Sequence, residues 1–290
     1  MRKQTKGFFR NFAQSILTFE TRIGIIVSSD VTTVRRVRKA GEKTLQYHNH
    51  QLRHELKYQI SYADYYELRS RALSFLRHDP HGRDGQYFIR SLYLDDIWHS
   101  NYQQKGDGWE RRRKYRLRIY DLSRDVIKFE IKDKYGKFIS KVSSRVTEEQ
   151  CARILRADFG FAGELIRTNA DGGREKALRI GYVDCACKIL RPQVVVDYTR
   201  EVFICDEGNV RMTFDMDLRA GAGTGDIFDP HLPTVAAYEP GRMILEVKYD
   251  DYLPEIVRKM LRSLRLWQSA QSKFTMCCLA QANYLGRVVD

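Results

Sequence analysis

Residues 114–120, KYRLRIY, place Tyr115, Leu117 and Ile119 on one side of an extended strand and Lys114, Arg116 and Arg118 on the other, because successive side chains of a strand point to opposite faces. The same alternation returns in VIKFEIKDK (126–134), where Ile127, Phe129 and Ile131 oppose Lys128, Glu130 and Lys132. It returns again in MILEVKYD (243–250) and RHELKYQI (53–60), whose polar rows carry Glu246 with Lys248 and Glu55 with Lys57. For one strand, an apolar side on a core and a charged side in water explains the pattern. Several strands that each set an acid two residues before a lysine need more, since solvation has no use for that spacing. A closed barrel with a charged interior supplies the reason.

Working outward, period-two segments bounded by Gly, Asp and Asn occur at 52–60, 87–95, 111–121, 126–134, 137–145, 193–205, 209–218 and 242–250, so eight antiparallel strands are expected. Gly136 in DKYGK and Gly208 in CDEGN mark hairpins. Helices are expected over 61–77 with Ser61 as cap, after Thr147 with Glu149 and Gln150 as capping-box candidates, and after Pro254 through Ile256, Met260, Leu264 and Trp267. The fold class is therefore α+β: an eight-stranded antiparallel barrel enclosing a tunnel, decorated by helices. Residues 51–290 read as one domain, and residues 1–50 as a basic extension outside it.

The formal charge of +13 calls for a polyanionic partner. Its location qualifies it: residues 1–50 hold ten lysines and arginines against three acids, about half of the excess. That segment reads either as a solvated extension or as an amphipathic stretch lying on a membrane surface or against a membrane partner. The six cysteines include no CxxC pair and suit packing thiols rather than zinc. Neither a cleavable leader nor a run of roughly 18 apolar residues is visible, so a cytoplasmic location is expected, with association to the cytoplasmic side of a membrane as an option.

A lumen crowded with lysine and arginine repels itself unless a dense anion fills it. Condensed phosphate meets that need: arginine offers paired donors to phosphate oxygens and lysine a compact charge. The glutamates among them, Glu55, Glu130 and Glu246, either neutralise neighbouring lysines or hold Mg²⁺ or Mn²⁺ against the phosphates, since hard cations take carboxylate and phosphate oxygens.

Taken together, RHELKYQI (53–60), SLYLDD (91–96), KYRLRIYD (114–121), FEIKDKYGKFISK (129–141), VVVDYTREVF (194–203), VRMTFD (210–215), ILEVKYDDYLP (244–254) and QSKF (271–274) resemble, in order, the VTC-domain polyphosphate polymerases within the triphosphate tunnel (CYTH-like) group. The resemblance implies transfer of the ATP γ-phosphate onto a growing inorganic polyphosphate chain, releasing ADP, with Mn²⁺ or Mg²⁺ as cofactor. By motif position it implies phosphate contacts from Lys57, Arg116, Arg118, Lys132, Lys141, Arg200, Arg211 and Lys248, with Lys105 joining them from a loop. It implies Tyr198 near the nucleotide, Glu246 as principal metal ligand, and Lys273 at the reaction centre beside Arg116 and Arg118. Neither a regulatory SPX domain nor transmembrane helices accompany these motifs, as in a standalone bacterial form. Two other readings are carried: a metal-dependent tripolyphosphatase or organic triphosphatase of the same fold, and a non-catalytic polyanion-binding module. No nucleic-acid motif is present to favour a specific nucleic acid.

Overall fold

The computed structural model describes residues 53–287 except 83, 110, 136, 137, 224, 265 and 270, together with the backbone of 35–39, 42–47, 50 and 51. Residues 1–34, and with them most of the expected extension, lie outside the described residues. Strands Arg35–Lys39, Glu42–Tyr47 and His50–Gln51 form a small sheet of their own.

Eight long strands make the main sheet: β1 (His54–Ser61), β2 (Gln86–Asp95), β3 (Arg111–Tyr120), β4 (Ile127–Tyr135), β5 (Phe138–Val146), β6 (Arg191–Cys205), β7 (Val210–Gly221) and β8 (Arg242–Tyr249). Each falls where the alternation predicts it. They are antiparallel throughout, in the order β1-β8-β7-β6-β2-β3-β4-β5, and three short strands at 77–78, 234–236 and 267–268 extend the sheet.

The sheet is not a closed barrel. No pairing joins β5 to β1 among the described residues. The outer edge of β1 is occupied instead by Trp267–Gln268, which pairs with Gln59 and Tyr58, and by Ser269, whose N–H donates to Lys57 O at 2.8 Å. This C-terminal segment covers β1 from Lys57 to Gln59, the stretch that a closing strand would have to pair with. The sheet nevertheless curls far enough for Lys132 on β4 to meet Glu55 on β1 at 3.1 Å, so the product is a deep trough whose lips meet through side chains.

Among the described residues seven helices accompany the sheet: α1 (Tyr62–Phe75), α2 (Ser100–Gly106), α3 (Glu148–Leu155), α4 (Gly160–Thr168), α5 (Lys176–Lys188), α6 (Glu255–Arg262) and α7 (Lys273–Tyr284). Ser61 and Thr147 cap α1 and α3 through full capping boxes, the reciprocal partners being Asp64 and Gln150. The helix expected through Trp267 stops at Arg262, and Trp267 is strand. None of the described helices is long and apolar enough to cross a membrane.

On the convex face, Leu117, Phe129 and Ile131 pack under α3, α4 and α5, while Phe203, Phe214, Leu245 and Val247 pack under α1 and α6. Gly181 on α5 admits the Phe129 ring, which a Cβ would meet at 2.7 Å. The concave face carries the polar rows, and α7 lies in it, seating Phe274 and Cys277 on Tyr93, Val196, Tyr198 and Ile244. One irregularity makes room. The β6–β7 register slips between Asp197 and Thr199, with the extra residue on β7, where Asp217 takes φ 48°. Asp215 before this bulge and Leu218 after it therefore both face inward, the first toward the charged rows and the second toward α7.

Candidate functional site

The charged end of the trough is a cavity of about 660 Å³. Ten lysines and arginines line it (Lys57, Arg112, Lys114, Arg116, Arg118, Lys132, Lys134, Arg200, Lys248 and Lys273), against two carboxylates, Glu55 and Glu246. Tyr93, Tyr198, Gln268, Ser269, Gln271 and Ser272 complete the polar wall. Each row follows from strand period: 112, 114, 116 and 118 are alternate residues of β3, as 132 and 134 are of β4.

Most of these cations are fixed by a frame of acids. Glu130, almost fully buried, accepts from Arg116 Nε at 2.7 Å through one oxygen and from Lys141 Nζ at 2.7 Å through the other. Asp215 accepts two hydrogen bonds from Arg200, at 2.6 and 2.8 Å, and also pairs with Lys273. Glu55 pairs with Lys57 at 2.8 Å and with Lys132, while Glu246 pairs with Lys248 and, at 3.4 Å, with Lys57. Tyr93 and Tyr198 orient the guanidinium groups: Arg116 Nη1 donates to Tyr93 Oη at 3.0 Å and Arg118 Nη2 to Tyr198 Oη at 3.1 Å.

Charge balance appears in the ionisation. Burial pushes the Glu55 carboxyl up and Glu246 adds to it, but Lys132, Lys57 and Lys248 outweigh both and bring it to about 2. Asp215 behaves alike: burial raises it, and Arg200 with Lys273 brings it to about 2. Burial opposes the charge on Glu130 and Glu246 too, yet their cationic neighbours hold both well below the usual carboxylate range. Two lysines move the other way. Lys114 falls to about 7 through burial and the nearby Lys57, Lys132 and Arg112. Lys132 falls to about 8, mainly through burial and the charges of Lys57 and Lys248, against the pull of Glu55. The cavity holds more positive charge than its own acids neutralise.

Of the residues predicted from sequence, Lys57, Arg116, Arg118, Lys132, Tyr198, Arg200, Lys248, Lys273, Glu55 and Glu246 are brought together around this space. Glu130 and Lys141 stand beside it as a pair. Arg211, on the same row of β7 as Asp215, is not among the cavity-lining residues; it is ion-paired with Asp79 and donates to Tyr87 Oη at 3.0 Å. The side chain of Lys105 lies outside the described residues. Sequence reading missed Arg112 and Lys134, although they continue rows already recognised, and passed over Lys114 as a mere member of its row. Asp215 carried no local signal: its importance comes from Arg200, fifteen residues away in sequence and opposite it across β6 and β7.

Among curated proteins no relative matches. Similar solved structures include a putative adenylate cyclase from Bacillus halodurans, 11% identical over 75% of this chain and 92% of that one, with a TM-score of 0.44. A protein from Pyrococcus horikoshii OT3 is 13% identical over 77% of this chain and 97% of its own, with a TM-score of 0.40. A conserved hypothetical protein from Pyrococcus furiosus is 10% identical over 73% and 86%, with a TM-score of 0.36. The model of the VTC domain matches residues 52–281. That span takes in all eight strands of the main sheet and every residue lining the cavity, and on it the chain belongs to the VTC domain family.

Proposed function

We propose that the protein is a polyphosphate polymerase: it transfers the γ-phosphate of ATP to the end of an inorganic polyphosphate chain lying on the concave face, releasing ADP. The observation that carries this reading is the surplus of basic side chains in one cavity, ten lysines and arginines against two lining carboxylates. Phosphoryl transfer asks little covalent chemistry of a protein; it needs donor and acceptor held in line and their charge neutralised. The bond from the γ-phosphorus to the ADP oxygen breaks with its electron pair leaving on ADP, and a bond to a terminal oxygen of the chain forms.

In this reading Lys273, steadied by Asp215, and Arg116 and Arg118, steadied by Glu130 and the two tyrosine hydroxyls, surround the phosphate in flight. Arg200, Lys57, Lys132 and Lys248 hold the flanking phosphates. Lys141 holds Glu130, and Arg211 serves the far end of the trough. Tyr198 stands by the nucleotide.

The family implies a divalent cation, Mn²⁺ or Mg²⁺, and the donor set can be tested for fit. No group of three acidic, histidine or cysteine ligands exists among the described residues. Glu246 and Glu55 nonetheless share the cavity, and one or two carboxylates completed by phosphate oxygens is how such ions are held beside phosphates. These two residues fit because they line the cavity; Glu130, which holds Arg116 and Lys141 and does not line it, acts as an anchor. When bound, the metal would withdraw charge from phosphate oxygens.

Full-length protein incubated with ATP and Mn²⁺ should yield a ladder of phosphate chains on a gel together with ADP. Orthophosphate without a ladder would replace this reading with a triphosphatase. Salt-sensitive polyanion binding indifferent to ATP and metal would reduce the protein to a binding module.

A further inference from the structure

Most cavity lysines carry an internal counterion. Lys57 has Glu55 and Glu246, Lys132 has Glu55, Lys248 has Glu246 and Lys273 has Asp215. Lys114 differs. Its Nζ donates to Ser272 Oγ at 2.7 Å and lies 5.0 Å from the centre of the Phe274 ring, and no carboxylate pairs with it among the described residues. Its neighbours are cationic: Arg112 on its own strand, Lys57 from β1, Lys132 from β4 and, next to Ser272, Lys273 on α7. Cys278 on α7 also faces it.

We propose that Lys114, with the Ser272 hydroxyl, is an anion latch: it takes its counterion from the phosphate chain, so that the site becomes fully charged only when the chain is bound. A carboxylate-paired lysine must share its charge between an internal acid and the ligand. Lys114 has no such competitor, so an arriving phosphate oxygen removes its repulsion by Lys57, Lys132 and Arg112 at one stroke. The depressed ionisation of Lys114, at about 7, agrees with this geometry, because a neighbouring anion restores the proton that burial and repulsion remove. Binding then draws in a proton at the latch. The inference rests on the proposed reading only for the identity of the anion as a phosphate chain.

Titrating inorganic tripolyphosphate into the full-length protein, in buffers of different ionisation enthalpy, measures proton uptake directly. At pH 8 the wild type should take up close to one proton more than Lys114→Met or Lys114→Arg, and at pH 6 the difference should vanish. Lys114→Arg should still bind, since its charge is permanent. Lys132 and the ligand also titrate, so the wild type is read against Lys114→Arg, which carries the same charge at position 114 in the bound state. If Lys114→Met does not fold, the arginine variant decides alone. Equal uptake by the wild type and Lys114→Arg at pH 8, or no tripolyphosphate binding by the wild type, would overturn the proposal. No ATP is present, so uptake without a phosphate ladder removes the polymerase and keeps the latch, and a ladder without uptake does the reverse.

Discussion

Glu130 holds two cations with one carboxylate while itself almost excluded from water. Removing its charge leaves Arg116, which burial already disfavours, without its main counterion. Glu130→Gln should therefore cost about 3 kcal/mol of stability, the lower range for breaking a buried pair, read as a fall in melting temperature. Lys273 stands differently, because Asp215 keeps both hydrogen bonds from Arg200 when Lys273 is gone. Lys273→Ala should melt close to the wild type yet lose ATP-dependent chain synthesis, a barrier increase of about 2–4 kcal/mol if it acts like one oxyanion donor. Glu246→Gln should likewise abolish synthesis in a folded protein. Synthesis at wild-type rate in either variant would remove that residue from the mechanism.

At the level of elements, the bulge in β7 decides where α7 can sit. Deleting Asp217 would restore a continuous two-residue period with Leu218 and Ala220 still facing inward, and would remove the bend that the extra residue puts into β7 beneath α7. The expected result is faster amide hydrogen exchange throughout α7, with α3 to α5 unaffected on the convex side. The eight strands and the caps at Ser61 and Thr147 were legible because alternation and capping are local. Helices α2, α4, α5 and α7 were not. The α5 sequence KALRIGYVDCACK has no clean apolar stripe and a mid-helix Gly181, whose purpose, admitting Phe129, exists only in the packed protein. The open seam was also illegible, since Trp267 continues a helical pattern and enters the sheet only because β1 offers an unpaired edge.

For the whole molecule, the site's charge imbalance should appear in the pH dependence of stability. Glu55 and Asp215, both held near 2, bind fewer protons folded than unfolded, so their contribution is present above their ordinary values near 4 and is lost as pH falls toward 2. Lys114 and Lys132, lowered to about 7 and 8, also bind fewer protons folded, so stability should rise between pH 6 and 8.5 in the absence of ligand. Thermal melts over that range check the sign, and a falling melting temperature would mean that the two lysines keep ordinary ionisation. The location of the charge was legible as rows along strands; its sum was not, because it depends on which acids reach which cations across β1, β4 and α7.

The trough's lips meet at Lys132 with Glu55 and at Lys114 with Ser272, without a backbone hydrogen bond between β5 and β1 among the described residues. A closed ring would hold a linear polymer as a bead holds its thread, and release would wait until an end slid through. A slit bounded by side chains imposes no such topology. On the proposed reading a long phosphate strand can leave sideways from its middle, so its rate of escape should depend on the few phosphates in contact rather than on how far away its ends lie.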